Sequence, residues 1–289
     1  MFLWAVCFPS ITAGLENSPP MAFAALRAVL SGAVLLIAAQ WLHRPSVEGK
    51  SIWAGIVLVG VTATSLGFFG MFYGGSRLAP GLATVISNFQ PLIAAGLAWS
   101  FLGERLSVAQ RWGLAAGFAG IVLIGAPTIS GPESELIGVF LILVGAVGIA
   151  ISNVALKRLT GKVDVMRAMG WQLLIGAIPL ALLAAATEDV TSIRWSWQFS
   201  LNLAALSVLG TSGAFVLWFS LLQRAKLSQL NVFTFLTPIF GLLMGVLFFS
   251  EQLRSAQLAG IALGLLGIYA VNRPTESMPE RRRADNRPI

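Results

Sequence analysis

The sequence predicts an all-α integral membrane protein with ten transmembrane helices, arranged as two five-helix repeats of opposite orientation. Three observations predict it. The 289-residue chain is 56% hydrophobic and only 11% charged, with a mean hydropathy of +0.81. A soluble domain carries about 25% charged residues, so this chain lacks the polar surface that water requires. The apolar residues gather into runs of bilayer-spanning length. One long stretch also occurs twice: TVISNFQPLIAAGLAWSFLGERLSVAQRWGLAAGFAG, from Thr84 to Gly120, and NVFTFLTPIFGLLMGVLFFSEQLRSAQLAGIALGLLG, from Asn231 to Gly267. In a gapless register Pro91 falls on Pro238, Glu104 on Glu251 and Leu106 on Leu253, while Gly113, Gly117 and Gly120 fall on Gly260, Gly264 and Gly267. The register extends backwards, with Thr64, Ser65 and Phe68 opposite Thr211, Ser212 and Phe215. Self-similarity of this kind marks an internal duplication.

The spans are expected at 1–15, 20–41, 51–75, 79–102 and 107–126, then 136–158, 165–186, 199–223, 227–250 and 255–272. The first is short for a span, which needs about 20 residues. Either the native chain begins earlier or this helix is short or tilted. It lacks the positive n-region of a signal peptide, and further spans follow it. The connections carry the breakers: GLENSPP, HRPSVEGK, PTISGPESE and TGKVD. Long uncharged runs with internal Gly and Pro read as helices, because a barrel would show alternating segments of about ten residues. The chain divides into a first repeat, 1–126, a second, 136–272, and a basic tail, 273–289.

Lys and Arg set the orientation. With the N-terminus in the cytoplasm, fifteen of the nineteen fall in inner loops and the tail, against three in outer loops (Arg77, Arg194, Arg254) and one, Arg27, within a span. Both termini are therefore expected inside. Five spans per half is an odd number, so the Glu104 turn lies inside and the Glu251 turn outside. The halves are then inverted, and two related halves of opposite orientation can exchange conformations and open a shared site to either side.

These features are similar to those of an EamA-type member of the drug/metabolite transporter superfamily. The resemblance rests on the two P-x12-E-x-L segments with their following glycines, and on Pro20-x6-Arg27 at the second span. It covers nearly the whole chain and departs only in the abbreviated first helix. It implies ten helices as two inverted repeats with a substrate cavity between them, in a bacterial inner membrane. The best-known bacterial branch of similar size exports amino acids, aromatic ones included.

Candidate substrate-binding residues follow from polarity inside the spans. Helical spacing puts Thr84, Ser87 or Asn88, and Pro91 along one face of the fourth span, and Asn231, Thr234 and Pro238 along the equivalent face of the ninth. Such faces avoid lipid and meet either solute or neighbouring helices. Asn153 in the sixth span and Gln172 in the seventh are similar. Pro91 and Pro238 each free a helical carbonyl and make a hinge or a tolerated kink. Arg27 either attracts a substrate carboxylate or is a snorkelling or helix-pairing residue, and the sequence favours the latter. Trp4, Tyr73, Trp171 and Trp218 could stack against a flat solute, although packing suits any one of them. Trp195 and Trp197 fit an outer interfacial belt. Glu104 and Glu251 suit helix N-termini rather than catalysis. The glycine pairs 113/117 and 260/264 suit close helix packing, within a chain or between two, so a monomer or a weak homodimer is expected.

Several classes are disfavoured. Net charge +7 invites nucleic acid, but the charge sits in loops and the tail. One cysteine allows no disulfide. No P-loop occurs, and no intramembrane histidine cluster or aspartate pair, so neither a cofactor nor enzyme activity is expected. A channel would show symmetry around a pore axis. No acid or histidine lies near mid-span, so movement by facilitated diffusion or exchange is expected rather than proton coupling. The partners are then the bilayer and a small solute, with no nucleic acid. Organic phosphates or nucleotide sugars would need several buried cations, which leaves zwitterions or neutral molecules. Amino acids lead; the alternative is another solute class of the same superfamily, namely purines or nucleosides, drugs, or sugars.

Overall fold

The computed structural model describes residues 2–90, 92–93, 107–129, 133–224, 236–250 and 252–272. Pro91, Glu104, Asn231, Thr234, Glu251 and the 273–289 tail lie outside the described residues, and of Pro238 only the backbone is described, as the third residue of its helix. The described residues are helical, with no strand among them. We number the helices α1 (Phe2–Leu15), α2 (Pro20–Trp41), α3 (Lys50–Gly74) and α4 (Pro80–Ser87). There follow α5 (Val108–Ile129), α6 (Glu133–Leu159), α7 (Val165–Thr187), α8 (197–224), α9 (Leu236–Phe249) and α10 (Ser255–Asn272). Among the described residues five helical stretches are long and apolar enough to cross a membrane: Pro20–Trp41, Lys50–Gly74, Glu135–Leu156, Val165–Thr187 and Trp197–Leu221. The molecule is an integral membrane protein.

Helix starts obey local chemistry. Pro20 opens α2, where its missing N–H costs nothing. Asp164 caps α7 by accepting from the Arg167 amide at 3.1 Å, and Ser196 caps α8 by accepting from the Phe199 amide at 3.1 Å. A capping box opens α5: the Ser107 amide donates to Gln110 Oε1 at 2.9 Å, and the Gln110 amide to Ser107 Oγ at 3.2 Å. At the duplicated position the Arg254 amide donates to Gln257 Oε1 at 2.9 Å.

Two helices widen to π-helix at matching positions, Gly60–Leu66 in α3 and Val208–Gly213 in α8. In the second of these the Thr211 hydroxyl donates to the Leu206 carbonyl at 3.1 Å, five residues back, which fits the wider turn. Helix α4 breaks at Asn88–Phe89. The sequence places Pro91 just beyond, where it can give no hydrogen bond to the preceding turn. Asn88 Nδ2 and Ser87 Oγ instead fold back to the Thr84 carbonyl, each at 2.8 Å.

Helices α2 and α7 pack antiparallel along their length. At one end the Glu188 carboxylate accepts from the Met21 and Ala22 amides at 2.9 and 2.8 Å, capping α2. At the other, Arg167 Nη2 donates to Gln40 Oε1 at 2.8 Å, and Arg44 lies 4.0 Å from Asp164. Helices α5 and α10 are also antiparallel, and glycines line their contact. A Cβ on Gly120 would fall 2.6 Å from the Gly260 carbonyl oxygen, and one on Gly267 would fall 2.5 Å from that of Gly113. The glycine pairs therefore pack helix on helix within one chain. Trp195 and Trp197 are exposed. Two apolar clusters fill the interior: a larger one around Phe23, Phe72 and Phe199, and a smaller one around Phe8, Ile86 and Phe89.

Candidate functional site

A cavity opens between the helices, with about 180 Å³ accessible to the centres of water molecules. The two halves of the chain wall it jointly. Trp4, Cys7 and Phe8 come from α1, Arg27 from α2, Ala63, Phe68 and Met71 from α3, and Thr84, Ser87 and Asn88 from α4. Asn153 and Ser152 come from α6, Gln172 and Met169 from α7, Phe215 and Trp218 from α8, and Thr237 from α9. Among the described residues the lining is apolar with scattered neutral hydrogen-bonding groups and a single cation, the composition typical of small-molecule pockets.

Arg27 is that cation, and it is 3% exposed. Its Nε donates to Thr211 Oγ1 at 2.7 Å and its Nη2 to Cys7 Sγ at 3.4 Å. Its Cζ lies 4.7 Å from the Phe68 ring centroid and 5.6 Å from that of Phe72, within cation–π range. Nη1 is buried, with no hydrogen-bond partner among the described residues. Of the two non-substrate alternatives, the contacts match helix pairing and not snorkelling. The side chain stays inside, because Thr211 of the α8 π-segment and two aromatic faces fix it there, and it ties α2 to α8. The ion pair found among the described residues is Arg44–Asp164, far from Arg27 along α2, so no acid in that set neutralises Arg27.

Gln172 is held in a comparable way. The Thr64 hydroxyl in the α3 π-segment donates to Gln172 Oε1 at 2.7 Å. Next to each threonine a serine hydroxyl ties helices together: Ser65 donates to the Gly176 carbonyl at 2.8 Å, and Ser212 to that of Ser31 at 3.0 Å. Each widened segment is thus fastened to the second helix of the other half. Trp4 and Trp218 form a tilted pair, with centroids 5.2 Å apart, at the cavity wall.

Of the residues singled out from sequence, the cavity brings together Trp4, Arg27, Thr84, Asn88, Asn153, Gln172 and Trp218. It does not include Tyr73 or Trp171. Tyr73 stacks on Phe69 with centroids 5.7 Å apart and lies under the Arg77 guanidinium at 4.2 Å, towards the end of α3. Trp171 packs edge-on against Trp53 at 5.4 Å. Sequence reasoning missed Cys7, Phe68, Phe215 and Thr237. For Phe68 and Phe215 a signal existed, since they occupy matching positions of the duplication.

A polytopic helical membrane protein with a mostly neutral cavity between its two halves has the architecture of a solute carrier. The chain belongs to the EamA-like transporter family, whose model matches residues 1–126 and 136–273. It is a transporter of the drug/metabolite superfamily. It is 32% identical over 96% of its length to "Uncharacterized transporter YvbV" of Bacillus subtilis, covering 90% of that protein. It is 26% identical to the Escherichia coli protein named "Probable amino-acid metabolite efflux pump", over 92% of this chain and 90% of that one. A solved crystal structure superposes with a TM-score of 0.67 at 22% identity over 93% of both chains, which shows a shared fold.

Proposed function

We propose that this transporter exports small metabolites of the amino-acid class by exposing its central cavity alternately to the two sides of a bacterial inner membrane. Its halves, 1–126 and 136–272, act as inverted repeats, and both termini lie in the cytoplasm. The observation that carries this reading is the composition of the cavity wall. Neutral hydrogen-bonding side chains from both halves (Thr84 and Asn88, Asn153 and Gln172) surround one arginine and a pair of tryptophans. Such a wall suits a small zwitterion with an apolar side chain and offers too little positive charge for organic phosphates. The antiparallel pairing of α2 with α7 and of α5 with α10 supports the inverted arrangement, since each pair joins equivalent helices of the two repeats. Asn231 and Thr234 complete the lining in this reading, and Pro91 and Pro238 serve as hinges.

The test is counterflow in proteoliposomes containing the purified chain, with panels of amino acids, purines and sugars. Saturable, counterflow-stimulated uptake of amino acids is expected. Uptake that neither saturates nor responds to internal solute would indicate a channel. Uphill accumulation driven by a pH gradient alone would contradict movement by facilitated diffusion or exchange.

A further inference from the structure

We infer that Arg27 Nη1 is the subsite for the solute's carboxylate, with the Trp4–Trp218 pair receiving the apolar end of the same molecule. This rests on the reading of the cavity as the solute site.

The guanidinium is planar and offers its donors in fixed directions. Two hydrogen bonds and two ring faces hold the group in place. Thr211 takes Nε, Cys7 takes Nη2, and Phe68 and Phe72 lie against the group. Nη1 remains, buried in a residue that lines the cavity, with no partner among the described residues. Leaving a buried charged donor unpaired is costly, more so than for a neutral group. No side chain among the described residues accepts from it. A solute carboxylate reaching Nη1 would supply the missing acceptor and the missing negative charge together, in a charge-assisted bond. One cation balances one carboxylate and falls short of a phosphate dianion. The expected class is monocarboxylates with an apolar group.

The chain's sole cysteine reports on the subsite without any transport measurement. Cys7 Sγ lies 3.4 Å from Nη2 and lines the same cavity. In the purified full chain, alkylation of Cys7 by iodoacetate and by iodoacetamide is followed by intact mass. The two reagents differ in the carboxylate, and in each case sulfur displaces iodide. The ratio of their rates is expected to fall about tenfold from wild type to Arg27→Gln, as loss of a hydrogen bond to a charged group implies. A ratio unchanged by the substitution overturns the assignment. A second measurement needs no variant: 3-phenylpropionate should protect Cys7 from iodoacetamide, and 3-phenylpropionamide should not. Equal protection by acid and amide, or protection by chloride alone, overturns it. So does a Cys7 inert to both reagents, because the space beside Arg27 would then admit no small solute. Protection without counterflow would sink the carrier reading and spare the subsite, whereas counterflow without selective protection would do the reverse.

Discussion

Gly60 and Gly176 meet so closely that a Cβ on Gly176 would sit 2.4 Å from the Gly60 carbonyl oxygen, and one on Gly60 would lie 3.3 Å from the Gly176 nitrogen. The first half's π-segment thereby rests directly on the α7 backbone. Close approach of small residues is how helices associate in lipid, where there is little hydrophobic drive between them. Gly176→Ala should force α3 and α7 apart and destabilise the protein by about 1–3 kcal/mol, the usual range for overpacking. The measurement is thermal unfolding in detergent, and an unchanged midpoint would mean that the two backbones are not pressed together.

The hydrogen bond from Thr64 to Gln172 should be measurable as a coupling. A double-mutant cycle with Thr64→Val and Gln172→Leu is expected to give about 0.6–1.7 kcal/mol, the scale found for polar pairs between membrane helices. Strict additivity of the two substitutions would show that the bond contributes nothing.

Glu188 closes the N-terminus of α2 from the far end of α7 with two charge-assisted bonds. Glu188→Ala should cost about 0.5–2 kcal/mol, as loss of a helix cap does. Hydrogen exchange should rise at the Met21 and Ala22 amides. Unaltered protection there would show that another group caps the helix.

Trp218→Ala should weaken apparent solute affinity in counterflow more for solutes with aromatic side chains than for those with small ones, by about fivefold, given about 0.5–1.5 kcal/mol for an aromatic contact. An equal effect on both kinds of solute would assign Trp218 to packing.

Orientation can be checked independently. In a Cys7→Ala background, Lys162→Cys should react with an impermeant thiol reagent only from the cytoplasmic face, and Asp189→Cys only from the outer face. Reaction of both from one face would refute the topology.

Five of the expected spans are found among the described residues, and they were legible because bilayer thickness leaves a mark that needs no tertiary contact. Pro91 marks a hinge or kink within the fourth span, and α4 breaks at Asn88–Phe89, just before that position in the sequence. The π-segments were not legible, since a widened turn depends on what packs against it, as Gly176 packs on Gly60. The partner of Arg27 lies 184 residues away, so its choice between the interior and the interface could not be read locally. Tyr73 and Trp171 have the chemistry of cavity residues but pack elsewhere, on Phe69 and Trp53. Helices apolar all round, such as α7, carry no stripe that tells inward from outward. Asn88 was readable because a polar group at mid-span has few places to go.

The lone guanidinium has an electrical consequence. A guanidinium is a fixed charge in proteins, and no acid among the described residues offsets this one. An unloaded carrier would hold a net positive charge within the bilayer, and so would one loaded with a zwitterion, whereas one loaded with a monocarboxylate that lacks an ammonium group would not. Voltage acts on the first two and hardly on the last, at about 2.3 kcal/mol per elementary charge moved through a full 100 mV drop. For a monoanionic cargo, return of the empty protein would be the step that the cell's resting potential speeds or slows, whereas for a zwitterion both steps would respond alike.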